Sequence, residues 1–237
     1  MVALRVSLLP CALYSMRMPF TFQSALTYPL PPPSTIKGMF ANALFLAERG
    51  SPLDHLDCIE QALVFASAFA SAPIAVKSHI VRLVRLDKKG QTDALPREFA
   101  QTPQPITAVA ATEDRDLAQR LVNALRRAPI SLGDSESLCS VVHAELCDVQ
   151  DVTEAAPVDV AGYFPEDAAA KQLSQGTLYW VHEVCHKASE LVPYVFPLLQ
   201  QKQVLQPTAV RVVPASGVRV LRIAQECFLV AEGSEHG

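Results

Sequence analysis

Apolar and polar positions alternate from the first residues. Leu4, Val6 and Leu8 fall on one side of Ala3–Leu9, which predicts an opening strand. The alternation then stops. Met18–Thr35 is an 18-residue stretch without charge, carrying Pro19, Pro29, Pro31, Pro32 and Pro33, and it predicts an extended loop with stiff ends. At Ser34 or Thr35 helical spacing takes over through Ile36, Met39, Phe40, Ala43, Leu44 and Ala47, with either hydroxyl available as N-cap. Gly50–Pro52 closes that helix. A second helical patch spans roughly Leu56–Phe69 and stops near Pro73.

Further on, Ile74–Leu86 is rich in strand formers, Asp87–Gly90 reads as a turn, and Gln91–Pro105 is polar and punctuated by proline. Ile106–Ala111 is a short strand. Asp114–Arg127 is the most regular helix, with a stripe of Leu117, Leu121, Val122 and Leu125, acids in its first turn and arginines in its last. A loop around Gly133 leads to a strand over Leu138–Val149. The order β-α-β-β-α-β predicts an α+β, ferredoxin-like domain over residues 1–150, the arrangement shared by RNA-recognition modules. Residues 151–237 turn acidic and irregular and are expected to form a small β-rich C-terminal appendage. It would close on a hairpin of Thr208–Val213 and Val218–Val230 around Pro214–Gly217.

Composition narrows the function. Half of the 237 residues are hydrophobic and 19% are charged, which excludes a disordered chain and leaves apolar surface for partners. Net charge is −4, but residues 1–130 carry +4 and residues 131–237 carry −8, so a polyanion should meet the first half. The six cysteines form no Cys-x-x-Cys pair, so neither a zinc ribbon nor a thioredoxin-like site is available. The longest uncharged apolar run, Gln61–Val76, has 16 residues where a membrane span needs about 20. A soluble, cytoplasmic protein without a membrane partner is expected.

One segment concentrates candidate chemistry. In Tyr28-Pro-Leu-Pro-Pro-Pro-Ser-Thr-Ile-Lys-Gly38 the prolines deliver a helix N-terminus in a fixed direction. Its free N–H groups, the hydroxyls of Ser34 and Thr35 and the Lys37 cation suit a phosphate or a bent nucleic-acid backbone, and Gly38 permits close approach. The same features also describe an ordinary capped helix after a loop.

Tyr14, Arg17, Phe20 and this Pro-Ser-Thr-x-x-Gly entry resemble the N-terminal signature of the Cas-five family, a group of CRISPR-associated RAMP proteins. Pro129-Ile-Ser-Leu-Gly133-Asp-Ser135-Glu136 is similar to that family's Pro-x-x-Leu-Gly-x-x-Glu loop. The resemblance covers about 140 residues and implies a non-catalytic subunit of a type I Cascade-like effector. Such a subunit binds the 5′ handle of the CRISPR RNA, docks the backbone and large subunits, and lies near target DNA at the end that reads the protospacer-adjacent motif. It implies no cofactor. This chain departs from the family in having Asp134 where a cation often follows the glycine, and in lacking a glycine-rich C-terminal loop. The Tyr, His and Lys residues of the branch that cuts precursor RNA have no evident counterparts here, which leaves a RAMP-type endoribonuclease as an alternative without named residues.

Two further segments carry candidate chemistry. Lys77, Arg82, Arg85, Lys88 and Lys89 form a basic strand and turn, and the resemblance implies a thumb-like hairpin over Arg82–Pro105 that inserts between RNA bases. Tyr14, Phe20 and Tyr28 could stack on bases or could serve as core lids. His182-Glu-Val-Cys-His186 is a formal HExxH. On a helix its histidines share a face and could hold zinc for a metallohydrolase, whereas on a strand they lie about 13 Å apart. No acid between Glu190 and Glu226 offers a nearby third ligand.

Overall fold

The computed structural model describes residues 1–19, 21, 24–84, 92–134, 136–152, 157–185 and 190–231. In the N-terminal part β1 (Val2–Pro10) leads through the proline loop to α1 (Pro33–Glu48) and α2 (Pro52–Ala62), followed by β2 (Leu63–Ala70) and the pair β3 (Ile74–Val84) and β4 (Thr92–Gln101). Next come β5 (Ile106–Thr112), α3 (Arg115–Leu125), β6 (Ile130–Ser131) and β7 (Leu138–Val152). Short strands follow: β8 (Val158–Val160), β9 (Phe164–Pro165), β10 (Ala169–Gln172), β11 (Thr177–Val181), β12 (Val192–Phe196), β13 (Leu198–Gln201) and β14 (Val204–Pro207). The chain closes with β15 (Val210–Pro214), β16 (Val218–Ile223) and β17 (Glu226–Ala231).

The fold mixes α and β elements and strands dominate it. The main sheet runs β10-β15-β8-β17-β16-β7-β1-β5-β2. β1 pairs antiparallel with β5 on one side and β7 on the other. Its alternation works as the sequence implies: Leu4, Val6 and Leu8 join the helices' Phe40, Leu44, Leu117 and Leu121 in one core. Ala3 faces the opposite way, into a cluster with Val109, Ala111, Ile223 and Phe228. β5 is buried along its whole length, which accounts for its alanine-rich sequence: both faces are covered, and large side chains have no room.

Three local expectations change. Leu56–Phe69 is not one helix, because α2 ends at Ala62 and β2 begins at Leu63. Phe65 and Phe69, four residues apart, share one face of a helix and one face of a strand alike, so their spacing could not decide between the two. Pairing with β5 does decide it, from Leu63↔Thr112 to Ala70↔Ile106. Gln91–Pro105 contains a ten-residue strand, β4, whose register with β3 runs from Ala75↔Gln101 to Val84↔Thr92. Near the C-terminus, β15 pairs with β8 and β10, and the closing hairpin is β16–β17, turning at Ala224 with φ +55°.

Phe228 on β17 reaches back to the far edge of the sheet path, with ring centroids 5.8 Å from Phe65 and 6.2 Å from Phe69. Gly162 lets the chain pass this point, since a Cβ there would overlap Ser67 Oγ and stand 2.7 Å from Phe228 Cε1. Gly162→Ala should therefore cost about 1–3 kcal/mol through overpacking. The measurement is the urea midpoint at unchanged slope. Wild-type stability would mean that Phe228 is not seated against β2 in solution.

Candidate nucleic-acid interface

The proline strap is buried rather than displayed: every residue from Thr27 to Pro33 is buried. Prolines donate no backbone hydrogen bond, so the strap is tied through its carbonyls by tyrosine hydroxyls. Tyr14 Oη donates to the Pro29 carbonyl at 2.8 Å and Tyr163 Oη to that of Pro31 at 2.8 Å. Tyr28 Oη donates outward, to the Trp180 carbonyl. Burial raises the pKa of all three phenols, Tyr28 to about 12, so they remain protonated donors. Tyr14 is fully buried and cannot stack on a base. Tyr28 is buried too, edge-on to Tyr179, and presents only a margin to the cleft beside it.

The helix the strap delivers starts one step earlier than its hydroxyls imply. Pro32 occupies the N-cap position and Pro33 the first turn, so neither Ser34 nor Thr35 caps it. The Ser34 N–H donates to the His182 carbonyl at 3.3 Å, and the Ile36 N–H bonds back to Pro32 at 3.1 Å. Among the described residues, the Thr35 N–H meets no acceptor. Thr35, Gly38 and Asn42 share one face and line a recess with Ser131 and Gly133. Lys37 does not. Two residues from Thr35 it sits about 200° round the helix, facing Glu60, Glu183 and Cys185. Burial lowers its pKa, and the negative charges of Glu60 and Glu183 oppose that shift. Lys37 is therefore a stitch between α1, α2 and the loop after β11, and not the cation of the cleft.

The cations of the cleft are Arg17 and Arg97. Arg17 is exposed on the loop before the strap, bridged to Thr27. Arg97 projects from β4, which is bridged to that loop at Ala25, and its guanidinium stands 5.0 Å from the Phe99 ring centroid. The Pro-x-x-Leu-Gly loop meets it. Gly133 (φ +86°) is required because a Cβ would come within 2.8 Å of Met16 Cγ and 3.0 Å of Ser15 O. The close approach that glycine permits is therefore to the chain itself. Asp134 takes the place of the expected cation and accepts from the Ser137 N–H at 2.8 Å, from the Ser137 hydroxyl and from Arg97. Ser137 Oγ in turn accepts from the Ser15 N–H at 3.0 Å. Arg97, Ser15, Ser137 and Thr27 gave no signal in the sequence, because a strand register and three isolated bridges bring them together.

These pieces enclose neighbouring recesses that share lining residues. A cleft of about 270 Å³ lies between Arg17, Pro19, Ser34 and His182, and one of about 490 Å³ between Arg17, Arg97, Gly133 and Asp134. Thr35 lines both, and also the recess at Gly38. Thr35 thus stands where neighbouring recesses adjoin, with Arg17 lining two of them and Arg97 one. Phe20, Arg85, Lys88, Lys89 and Ser135 lie outside the described residues, as does the side chain of Arg82. Lys77 lines a separate recess on β3.

The HExxH segment is not a helix over its described part. After Val181 the chain leaves β11 in irregular structure, with the Cys185 N–H donating to Glu60 at 2.6 Å and Tyr194 Oη donating to Glu183. His186 lies outside the described residues, and among those described no group of three His, Cys, Asp or Glu could hold a metal.

Comparison with known proteins gives a consistent answer. The family model for CRISPR-associated protein (Cas_Cas5) matches residues 6–216. No curated protein matches the sequence. A CRISPR protein from Archaeoglobus fulgidus is similar over 98% of this chain and 100% of its own, at 14% identity and a TM-score of 0.66. A chain of a CRISPR RNA-guided surveillance complex covers 87% of this chain and 91% of its own, at 19% identity and a TM-score of 0.46.

Asp134→Ala should destabilise the fold by about 1–3 kcal/mol, because it removes the acceptor of the Ser137 hydroxyl and the nearest acid to the Arg97 guanidinium, and leaves the Ser137 N–H only the backbone carbonyl at 3.3 Å. Asp134→Asn keeps an acceptor for Ser137 and should lose less. A denaturation midpoint in Asp134→Ala equal to that of wild type would show that the turn does not depend on that carboxylate.

Proposed function

The chain belongs to the CRISPR-associated protein (Cas_Cas5) family, and from that premise we propose that it is a non-catalytic subunit of a type I Cascade-like effector. In this reading it grips the 5′ handle of the CRISPR RNA along the groove around Thr35. The carrying observation is that Arg17 and Arg97 line adjoining recesses around Thr35, built mostly from the basic half of the chain. Guanidinium groups and helix-terminal amides are the partners that phosphate oxygens take, and a bend favours a strand that must turn.

The strand order supports a ferredoxin-like core. β7-β1-β5-β2 is an antiparallel set in which β5 lies between β1 and β2, joined through α1 and α2, with β3–β4 inserted before β5. That inserted hairpin suits a thumb. β14 pairs with β3 at Ile74 and Ala75 alone, and β3–β4 pairing continues nine residues further, to Val84. Ile80, 69% exposed on this arm, and Trp180, 55% exposed on β11, are apolar surfaces suited to neighbouring backbone and large subunits. Target DNA would lie beyond them, and sequence reading would fall to base pairing rather than to this protein. No cofactor is called for. Among the described residues no helix is long and apolar enough to cross a membrane, and the proposed place of action is the cytoplasm.

Arg17→Ala should weaken binding of a repeat-derived handle RNA and reduce the slope of log affinity against log salt by about one. Lys37→Ala should bind as wild type does. The check is fluorescence anisotropy across a salt series with the purified protein. Undiminished affinity in Arg17→Ala, or a loss confined to Lys37→Ala, would overturn the groove assignment.

A further inference from the structure

Met18 lines the cleft beside Arg17 and also lines a further recess of about 490 Å³. That volume lies within the ~300–1,000 Å³ of small-ligand sites. Its walls are of different chemistry from the phosphate groove. Met18, Val76, Leu205 and the ring of Tyr179 supply apolar surface, whereas Lys77 on β3 and Lys202 on the β13–β14 turn supply cations. Glu98 on β4 is the one carboxylate among the lining residues, and Gln200 and Gln203 bring side-chain amides.

Glu98 is held in place without being used up. Its Oε2 accepts from the Thr27 N–H at 3.2 Å and its Oε1 from the Ser78 hydroxyl at 3.4 Å. An ionised carboxylate has about four acceptor sites, so each oxygen retains capacity for another donor. Tyr179 beside it stays a neutral phenol, its pKa pushed up to about 12 by burial and by the Glu98 charge. Lys202 sits at φ +57°, a conformation that glycine or asparagine adopts more easily. A lysine kept at that turn position places a cation at the rim of the recess at a cost in backbone strain.

We propose that this recess holds one unstacked nucleobase of the RNA strand bound in the cleft, and that the Glu98 carboxylate selects a base presenting an amino donor. The proposal rests on the RNA-binding reading of the groove and adds to it a specificity element. A carboxylate can only accept. Guanine offers it N1–H and N2–H₂ side by side, adenine and cytosine offer an exocyclic amino group, and uracil offers a single N3–H flanked by carbonyl oxygens that a carboxylate repels. Lys77 and Lys202 then serve the phosphate on the base's own nucleotide. The recess adjoins the cleft, since Met18 lines both and Glu98 holds Thr27, which is bridged to Arg17, and this favours a base of the bound strand over a free mononucleotide.

The test uses the purified full-length protein and a random RNA pool of roughly ten nucleotides, with bound RNA sequenced and quantified. Wild type should deplete uracil about fivefold or more at one position. Glu98→Gln keeps an acceptor for Thr27 and adds a donor that uracil carbonyls can take, so uracil should return at that position while total bound RNA changes little. Lys202→Asn, which suits the turn's backbone, should lower total binding and leave base frequencies as they are. An excess of guanosine monophosphate should not displace the pool, and displacement would reassign the recess to free nucleotides. Unchanged base frequencies in Glu98→Gln, at wild-type thermal stability, would overturn the proposal. The groove reading fails separately, if Arg17→Ala captures as much RNA as wild type.

Discussion

A run of prolines has carbonyls to satisfy and almost no amides to offer, and this fold depends on how that imbalance is resolved. The strap from Tyr28 to Pro33 is buried, where an unpaired carbonyl is expensive. Tyrosine hydroxyls supply the missing donors from two directions. Tyr14 comes from the loop before the strap, and Tyr163 comes from the acidic half of the chain, 132 residues from Pro31 in sequence. Tyr163 is itself stacked on Phe196 at 4.6 Å and meets Tyr194 edge-on at 5.7 Å. The direction of α1, and so the bend of the groove, is set by an aromatic cluster that belongs mostly to the C-terminal residues.

That dependence explains what could be read in the sequence and what could not. Elements with one periodic face were legible: β1 from its alternation, and α3 from its stripe, with Asp114 capping at 2.9 Å to the Leu117 N–H. The segment around Phe65 and Phe69 was ambiguous because small residues between the aromatics suit both helix and doubly covered strand. The site was legible as a place, and less so as a set of residues. The proline entry and the Gly133 loop do meet, but their meeting is made by Ser15, Ser137, Asp134 and Arg97, polar residues whose positions follow from long-range pairing. Lys37 was separable from Thr35 by helical geometry alone, since residues two apart point to opposite sides.

The groove's electrostatics follow from the same arrangement. Family-like loops would place a cation after the glycine, and here Asp134 stands there instead. Its charge is met by Arg97, 26% exposed at the side chain, with Glu136 a second partner at 3.9 Å. The cation is thus retained but carried on a different element, β4, and held in orientation by the acid that displaced it. A guanidinium fixed in this way loses little conformational freedom on meeting a phosphate, which a free surface lysine would not match.

β7 is 15 residues long, about 50 Å at strand rise. It pairs with β1 as far as Asp148 and with β16 from Val149 onward, on its opposite edge. The handover occurs without a break in the strand, so β7 acts as a girder shared by both ends of the molecule. Rotation of one end against the other would have to shear backbone ladder bonds along it, a far stiffer deformation than swinging a hairpin anchored at its base. Compliance is therefore concentrated in the β3–β4 arm, with the recesses at its foot remaining a rigid reference.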